Sequence, residues 1–84
     1  MFKKEDENYV YELVSRNIQK IRKGKGLTQE QLAEMIEYST QFISNIESTK
    51  NHQTFSLGTL WRLAVVLKID IRDLFAPLDE EKDK

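Results

Sequence analysis

Hydrophobic residues recur along this chain at the three- and four-residue spacing of an α-helix, not in the alternation of a β-strand. Residues that interrupt helices are few, with three glycines and one proline among 84 residues. The pattern therefore predicts an all-α fold. A first helix is expected over about residues 8–23, ending at the glycine-containing stretch 24–26. The residues predicted for its buried face are Val10, Leu13, Val14, Ile18 and Ile21.

Two short amphipathic patterns follow between residues 28 and 47 and meet at residues 37–39. Thr28 and Ser39 each stand where a helix N-cap is expected, and Gln31 occupies the reciprocal position of a capping box with Thr28. Two short helices joined by a tight turn form a helix-turn-helix. The inward residues of this motif are expected to be Leu32, Ala33, Ile36, Ile43 and Ile46.

The last third of the chain predicts two more helices after a polar loop at residues 48–54. Ser56 is the expected N-cap of a fourth helix that carries too many apolar residues for one buried face. Asp70 is expected to cap a short final helix over residues 71–75, with Asp73 returning the capping-box contact and Pro77 marking its end.

Composition indicates one small domain over residues 1–84, because 39% hydrophobic and 32% charged residues suit a chain of this length. The core is expected at about residues 8–76, with 1–7 and 78–84 frayed. The absence of cysteine excludes disulfides and thiolate metal sites, so stability must come from helix packing or dimerisation. With no long apolar run and no signal-peptide pattern, the sequence predicts a cytoplasmic protein without membrane contact.

Net charge is the property least favourable to nucleic-acid binding, since its formal value is -1. The distribution is uneven: residues 15–53 hold six basic and four acidic side chains, while acidic runs occupy residues 5–7 and 79–81. The acidic runs are expected to be solvated segments that aid solubility, and the alternative is that they temper non-specific DNA affinity.

A set of residues spread over all five predicted helices matches one family of DNA-binding domains. These residues are Ile21-Arg22, Gly26-Leu27-Thr28-Gln29, Leu32-Ala33, Ile43-Ser44, Ile46-Glu47, Leu60, Leu63-Ala64, Leu67 and Leu74-Phe75. The chain resembles the Cro/repressor-type helix-turn-helix family, also called the xenobiotic-response-element family, over about residues 18–75. The resemblance implies a compact five-helix bundle of the lambda-repressor-like type. In that family the third helix enters the major groove, usually in a homodimer that represses or activates transcription.

The resemblance also implies an ion pair between Arg22 and Glu47 that fixes the third helix. Two departures from the family pattern stand out. Glu37 occupies a turn position that is often glycine, so its backbone either avoids positive φ or adopts it with strain. The loop after Glu47 is about two residues longer than usual and lacks the common Arg-Gly pair, which affects its phosphate contacts more than the fold.

Four polar residues of the third helix are candidates for contact with DNA. Gln41 and Asn45 lie four residues apart on one helix face, and either amide can bond adenine N6 and N7 together. Thr40 is placed to touch a thymine methyl group or a phosphate, and Ser44 a phosphate. The alternative is that all four are solvated polar positions on a surface helix.

Phosphate contacts are also predicted on either side of the third helix. Gln29 stands at the start of the second helix, where free backbone N–H groups and the helix dipole favour an anion. Lys50 and Asn51 lie in the loop after the third helix and can reach the backbone beyond the groove. For Lys50 the alternative is an ordinary solvated lysine.

A surplus apolar stripe on the fourth helix predicts a partner. Trp61 and Val65 are one turn apart at positions that are commonly polar in the family. With Ile69, Ile71 and Phe75 they form a candidate homodimer interface that spaces two recognition helices by about one DNA turn, roughly 34 Å. The alternative is that the first helix or the N-terminal aromatic residues cover the stripe within one chain.

These features predict a homodimeric regulator that binds double-stranded operator DNA sequence-specifically, without cofactor, metal or small-molecule ligand. An antitoxin or adaptor-type protein-binding module on the same fold is the alternative. An enzyme is not supported, because the sequence has no glycine-rich phosphate loop, metal-ligand spacing or nucleophile-histidine-acid pattern, and no catalytic residue is predicted.

Overall fold

The computed structural model describes residues 5–48 and 55–77, and within these ranges its regular secondary structure is all helical. The α-helices are α1 (Asn8–Gly24), α2 (Gln29–Ile36), α3 (Thr40–Glu47) and α4 (Leu57–Leu67), and a 3-10 helix (Ile71–Phe75) follows them. The expected five-helix bundle is thus corrected to four α-helices and one 3-10 helix over the described residues. Five residues between Asp70 and Ala76 form only tight i to i+3 turns. No helix in the described ranges is long and apolar enough to cross a membrane.

Hydroxyl N-caps begin three of the α-helices where the sequence predicted them. The side-chain oxygens of Thr28, Ser39 and Ser56 accept hydrogen bonds of 3.0, 3.1 and 3.1 Å from the backbone N–H three residues later. Gln31 completes the predicted capping box, because its Oε1 accepts from the N–H of Thr28 at 2.8 Å. These caps satisfy N–H groups that a helix start leaves unpaired, so the local sequence sets where these three helices begin.

The core contains apolar residues from every helix. Its buried members are Val14, Ile18, Leu32, Ala33, Ile36, Ile43, Ile46, Leu60, Leu63, Leu67 and Leu74. The expected buried face of α1 is only partly correct. Leu13 and Ile21 are half-buried, and Val10 is 37% exposed because it lies in the first turn, at the rim of a surface groove.

A buried asparagine attaches the end of the described chain to α1. The Asn17 side-chain Nδ2 donates to the backbone carbonyl oxygens of Leu74 and Ala76, both at 2.9 Å. Asn17 is only 4% exposed, so both donors of its amide group are used where water is largely excluded. The 3-10 helix is therefore held against α1 by hydrogen bonds as well as by Leu74 in the core.

The turn between α2 and α3 has a left-handed residue at Glu37, with φ 62° and ψ 41°. The N–H of Glu37 donates to the Glu34 carbonyl at 3.1 Å, and that of Tyr38 to the Ala33 carbonyl at 2.9 Å. This is the bond pattern of a Schellman motif, which normally favours glycine at the left-handed position. Glu37 was expected either to avoid positive φ or to adopt it with strain, and it adopts positive φ. Its side chain also forms an exposed ion pair with Arg62 at 2.9 Å.

Replacing Glu37 with glycine is expected to stabilise the protein relative to Glu37→Ala. Both variants lose the ion pair with Arg62, but only glycine relieves the left-handed strain, which exceeds its entropic cost in the unfolded chain. We expect Glu37→Gly to exceed Glu37→Ala by about 1 kcal/mol in unfolding free energy, measured by urea denaturation. Equal stability of the two variants would contradict the assignment of strain at this turn.

Candidate nucleic-acid interface

A buried ion pair joins the end of α3 to α1. The Arg22 Nε donates to Glu47 Oε2 at 2.7 Å, and its Nη2 donates to Glu47 Oε1 at 2.9 Å. The two side chains are only 8% and 2% exposed. Arg22 Nη1 also donates to the Leu27 carbonyl at 2.7 Å, so the guanidinium group is bonded on three nitrogens. The predicted pair of Arg22 with Glu47 is confirmed.

Gln29 extends this pair to the start of α2. Its Nε2 donates to Glu47 Oε1 at 2.9 Å, and the residue is half-buried. The first residue of α2 and the last of α3 are therefore adjacent, which places a helix start, with its partial positive charge, beside the candidate reading helix. One hydrogen of the Gln29 amide is engaged with Glu47, and the other remains for the predicted phosphate contact, which stays a prediction.

The four polar residues predicted for α3 are accessible together. Thr40 and Gln41 are exposed, and Ser44 and Asn45 are half-buried. Gln41 and Asn45 are also bonded to each other, since Gln41 Nε2 donates to Asn45 Oδ1 at 2.9 Å. Their four-residue spacing was the signal available in the sequence for this contact, although spacing alone does not fix how two side chains are oriented. Their contact with DNA stays a prediction.

Other residues near α3 have simpler placements. The rings of Tyr38 and Phe42 lie with centroids 4.4 Å apart in a tilted arrangement, and Phe42 also packs against the core. Phe42 is thus a packing residue at the motif. Lys50 and Asn51, predicted to contact phosphates, lie outside the described residues.

A second accessible surface runs along α4. Leu57, Trp61 and Val65 are 73%, 60% and 56% exposed and follow one another at four-residue intervals, which places them on one face of the helix. Phe75 is 39% exposed, whereas Ile69 and Ile71 are partly buried against the core. Of the predicted interface residues, three are therefore open and two serve the core in part. Leu57 was not among the predicted interface residues, although its spacing from Trp61 was the signal available in the sequence.

An apolar groove of about 210 Å³ adjoins this surface. It is lined by Val10, Tyr11, Val14, Phe55, Leu57, Leu60 and Phe75. The Tyr11 ring meets the Phe55 ring edge to face, with centroids 5.4 Å apart. Within the described chain Tyr11 thus packs on Phe55 and leaves Trp61 and Val65 exposed.

Comparison with known proteins finds a match to both the sequence and the fold. The HTH_3 family model, described as helix-turn-helix, matches residues 18–74. The uncharacterized HTH-type transcriptional regulator y4dJ of Sinorhizobium fredii is 35% identical over 68 residues, covering 81% of this chain and 86% of that protein.

Two solved structures of restriction-modification controller proteins are also similar. C.AhdI from Aeromonas hydrophila is 27% identical with a TM-score of 0.74, covering 83% of this chain and 99% of that one. Wild-type C.Esp1396I is 31% identical with a TM-score of 0.70, covering 80% of this chain and 84% of that one.

Replacing Glu47 with alanine is expected to destabilise the fold by about 3–5 kcal/mol, because it leaves the Arg22 guanidinium buried without its partner. Glu37→Ala is the matched control: it removes an exposed ion pair, which is expected to contribute about 0–1 kcal/mol. Urea denaturation followed by circular dichroism measures both. Losses of similar size in the two variants would show that Glu47 does not fix α3 as the geometry indicates.

Proposed function

The chain belongs to the HTH_3 helix-turn-helix family of DNA-binding transcription regulators, and we propose that it binds a specific operator as a homodimer with α3 in the major groove. The observation that carries this proposal is the accessible polar face of α3, held in place from behind by the buried Arg22–Glu47 pair. A surface helix with a fixed position and accessible polar side chains suits base recognition in the major groove.

The side chains on α3 supply both donors and acceptors for base edges. Gln41 and Asn45 carry amides, which match the hydrogen-bonding edge of adenine, and Thr40 adds a hydroxyl and a methyl group near the helix start. Ser44 lies one turn beyond Thr40 and is placed for a phosphate. Sequence specificity is therefore proposed to come from α3, and the orientation of the protein on the duplex from the residues on either side of α3.

Phosphate contacts are proposed at the start of α2 and at residues 50 and 51, which follow α3 in the sequence. The first turn of α2 presents backbone N–H groups and the positive end of the helix dipole, with Gln29 beside them. Lys50 and Asn51 complete the proposed set. Because the whole chain carries a formal charge of -1, non-specific attraction to DNA is expected to be weak, and affinity must depend on placing two recognition helices together.

The homodimer is proposed to form through α4. A stripe of Leu57, Trp61 and Val65 exposed to water is unfavourable unless it is covered, and the adjoining groove extends the same apolar surface toward Phe75. A two-fold interface uses the same patch on both subunits, so the stripe of one subunit can pack against the stripe of the other. Such a dimer would present two α3 helices to successive major grooves, about 34 Å apart.

The similar structures suggest which kind of gene system the regulator controls. Two of the similar structures are those of restriction-modification controllers, C.AhdI and C.Esp1396I. We propose control of such a gene system as the first setting to test, with DNA upstream of neighbouring genes as the first source of operator sequence.

Selection from a library of random duplexes is expected to enrich a two-fold symmetric motif with half-site centres about one turn apart. The measurement is sequencing of the bound fraction at low and moderate salt, because affinity for DNA depends steeply on salt. Failure to enrich any motif at low salt would contradict the proposal. If the same protein then bound a protein partner tightly, the antitoxin or adaptor function would replace it.

Replacing Trp61 with glutamate is expected to give a monomer in sedimentation, because a charge at the centre of an apolar interface is desolvated without a partner. Met35→Glu is the matched control, since Met35 is 42% exposed on α2, outside the α4 stripe. The control should sediment as the unmodified protein does. A dimer that persists in Trp61→Glu would place the interface elsewhere.

A further inference from the structure

We propose that Gln41 is the adenine-reading residue of α3 and that Asn45 is a positioning residue that holds the Gln41 amide in its reading orientation. This inference rests on the proposed binding of α3 in the major groove. The observation behind it is the hydrogen bond of 2.9 Å from Gln41 Nε2 to Asn45 Oδ1.

The Gln41 amide has one acceptor oxygen and two N–H donors. One N–H is used by Asn45 Oδ1, which leaves Oε1 and the second N–H. Adenine presents in the major groove one donor, its N6 amino group, and one acceptor, N7. In number and kind, the groups that Gln41 retains therefore match the groups that adenine offers.

The Asn45 amide is in a different situation. Bidentate adenine recognition by Asn45 would use its Oδ1, and one of the two lone pairs of this atom already accepts the bond from Gln41, whereas the same bond leaves Gln41 Oε1 unused. Asn45 retains its Nδ2 donors and one Oδ1 lone pair, and the donors suit an acceptor on a neighbouring base or a phosphate. The two amides are thus unequal, although the sequence presents them as equivalent candidates.

The accessibility and the length of the two side chains support the same division of roles. Gln41 is exposed, and its side chain is one methylene longer, whereas Asn45 is half-buried. Gln41 also lies in the first turn of α3, and the N-terminal residues of a recognition helix are those that contact base edges. A long side chain loses rotamer freedom when it binds, so a bond that restricts Gln41 beforehand lowers that cost.

The test compares the base preferences of full-length variants on duplex libraries built around the motif selected by the unmodified protein. Gln41→Ala identifies the adenine position by abolishing its preference, which we expect to be roughly tenfold for a bidentate contact. Asn45→Ala is expected to lose most of the preference at that same position. Asn45→Asp keeps an acceptor oxygen for Gln41 Nε2, so it should retain the preference while its added charge weakens binding to all duplexes alike.

Thermal unfolding by circular dichroism shows whether the Asn45 variants keep the fold, and the Asn45→Asp result separates positioning from a general loss of structure. The proposal is overturned if Asn45→Ala keeps the adenine preference at the Gln41 position, or if Asn45→Asp loses it as fully as Asn45→Ala. If the unmodified protein selects no motif, the proposed function fails, and this inference fails with it. If the unmodified protein selects a motif and every Asn45 variant keeps the preference at the position that Gln41 reads, this inference is overturned and the proposed function is not.

Discussion

The position of α3, the proposed recognition helix, depends on a carboxylate that is removed from water. Glu47, the last residue of α3, accepts bonds from Arg22 on α1 and from Gln29 at the start of α2, so one side chain joins three helices. Burying a charge is costly, and an arrangement that satisfies both partners is strongly preferred over one that separates them. Few orientations of α3 keep all of these bonds, and this restriction gives its polar face a defined direction.

The remaining contacts extend this constraint to the rest of the domain. Asn17 fastens the 3-10 helix to α1, and the Schellman motif at Glu37 sets the path from α2 into α3. The exposed Glu37–Arg62 pair links that turn to α4, the helix that carries the apolar stripe. The proposed DNA-contacting surface on α3 and the proposed dimer surface on α4 therefore belong to one framework, which is the arrangement required if two weakly charged subunits are to bind DNA only at a defined spacing.

Much of this framework was predictable because its causes are local or follow from the family. Hydroxyl caps at Thr28, Ser39 and Ser56 act on N–H groups three residues away, so the sequence alone located the helix starts. The Arg22–Glu47 pair followed from the resemblance, since nothing in the spacing joins residues so far apart. The 3-10 form of the final helix was missed because its capping pattern is equally compatible with an α-helix.

Other features depend on tertiary surroundings or on side-chain rotamers. Val10 fits the buried face of α1 by spacing but lies beyond the end of the core, and the Gln41–Asn45 bond depends on rotamers that spacing does not fix. The accessible polar face of α3 was therefore predictable as a set of residues, whereas the unequal roles proposed for Gln41 and Asn45 depend on how their side chains are oriented.

The most direct measurement of the central claim is a methylation-protection footprint of the protein on its selected duplex. Guanine N7 lies in the major groove and adenine N3 in the minor groove, so the same experiment reports on protein contacts in both grooves. The account predicts protection of guanine N7 in two patches about 10 base pairs apart on one face of the duplex. Protection confined to adenine N3, or a single patch without a symmetric partner, would contradict it.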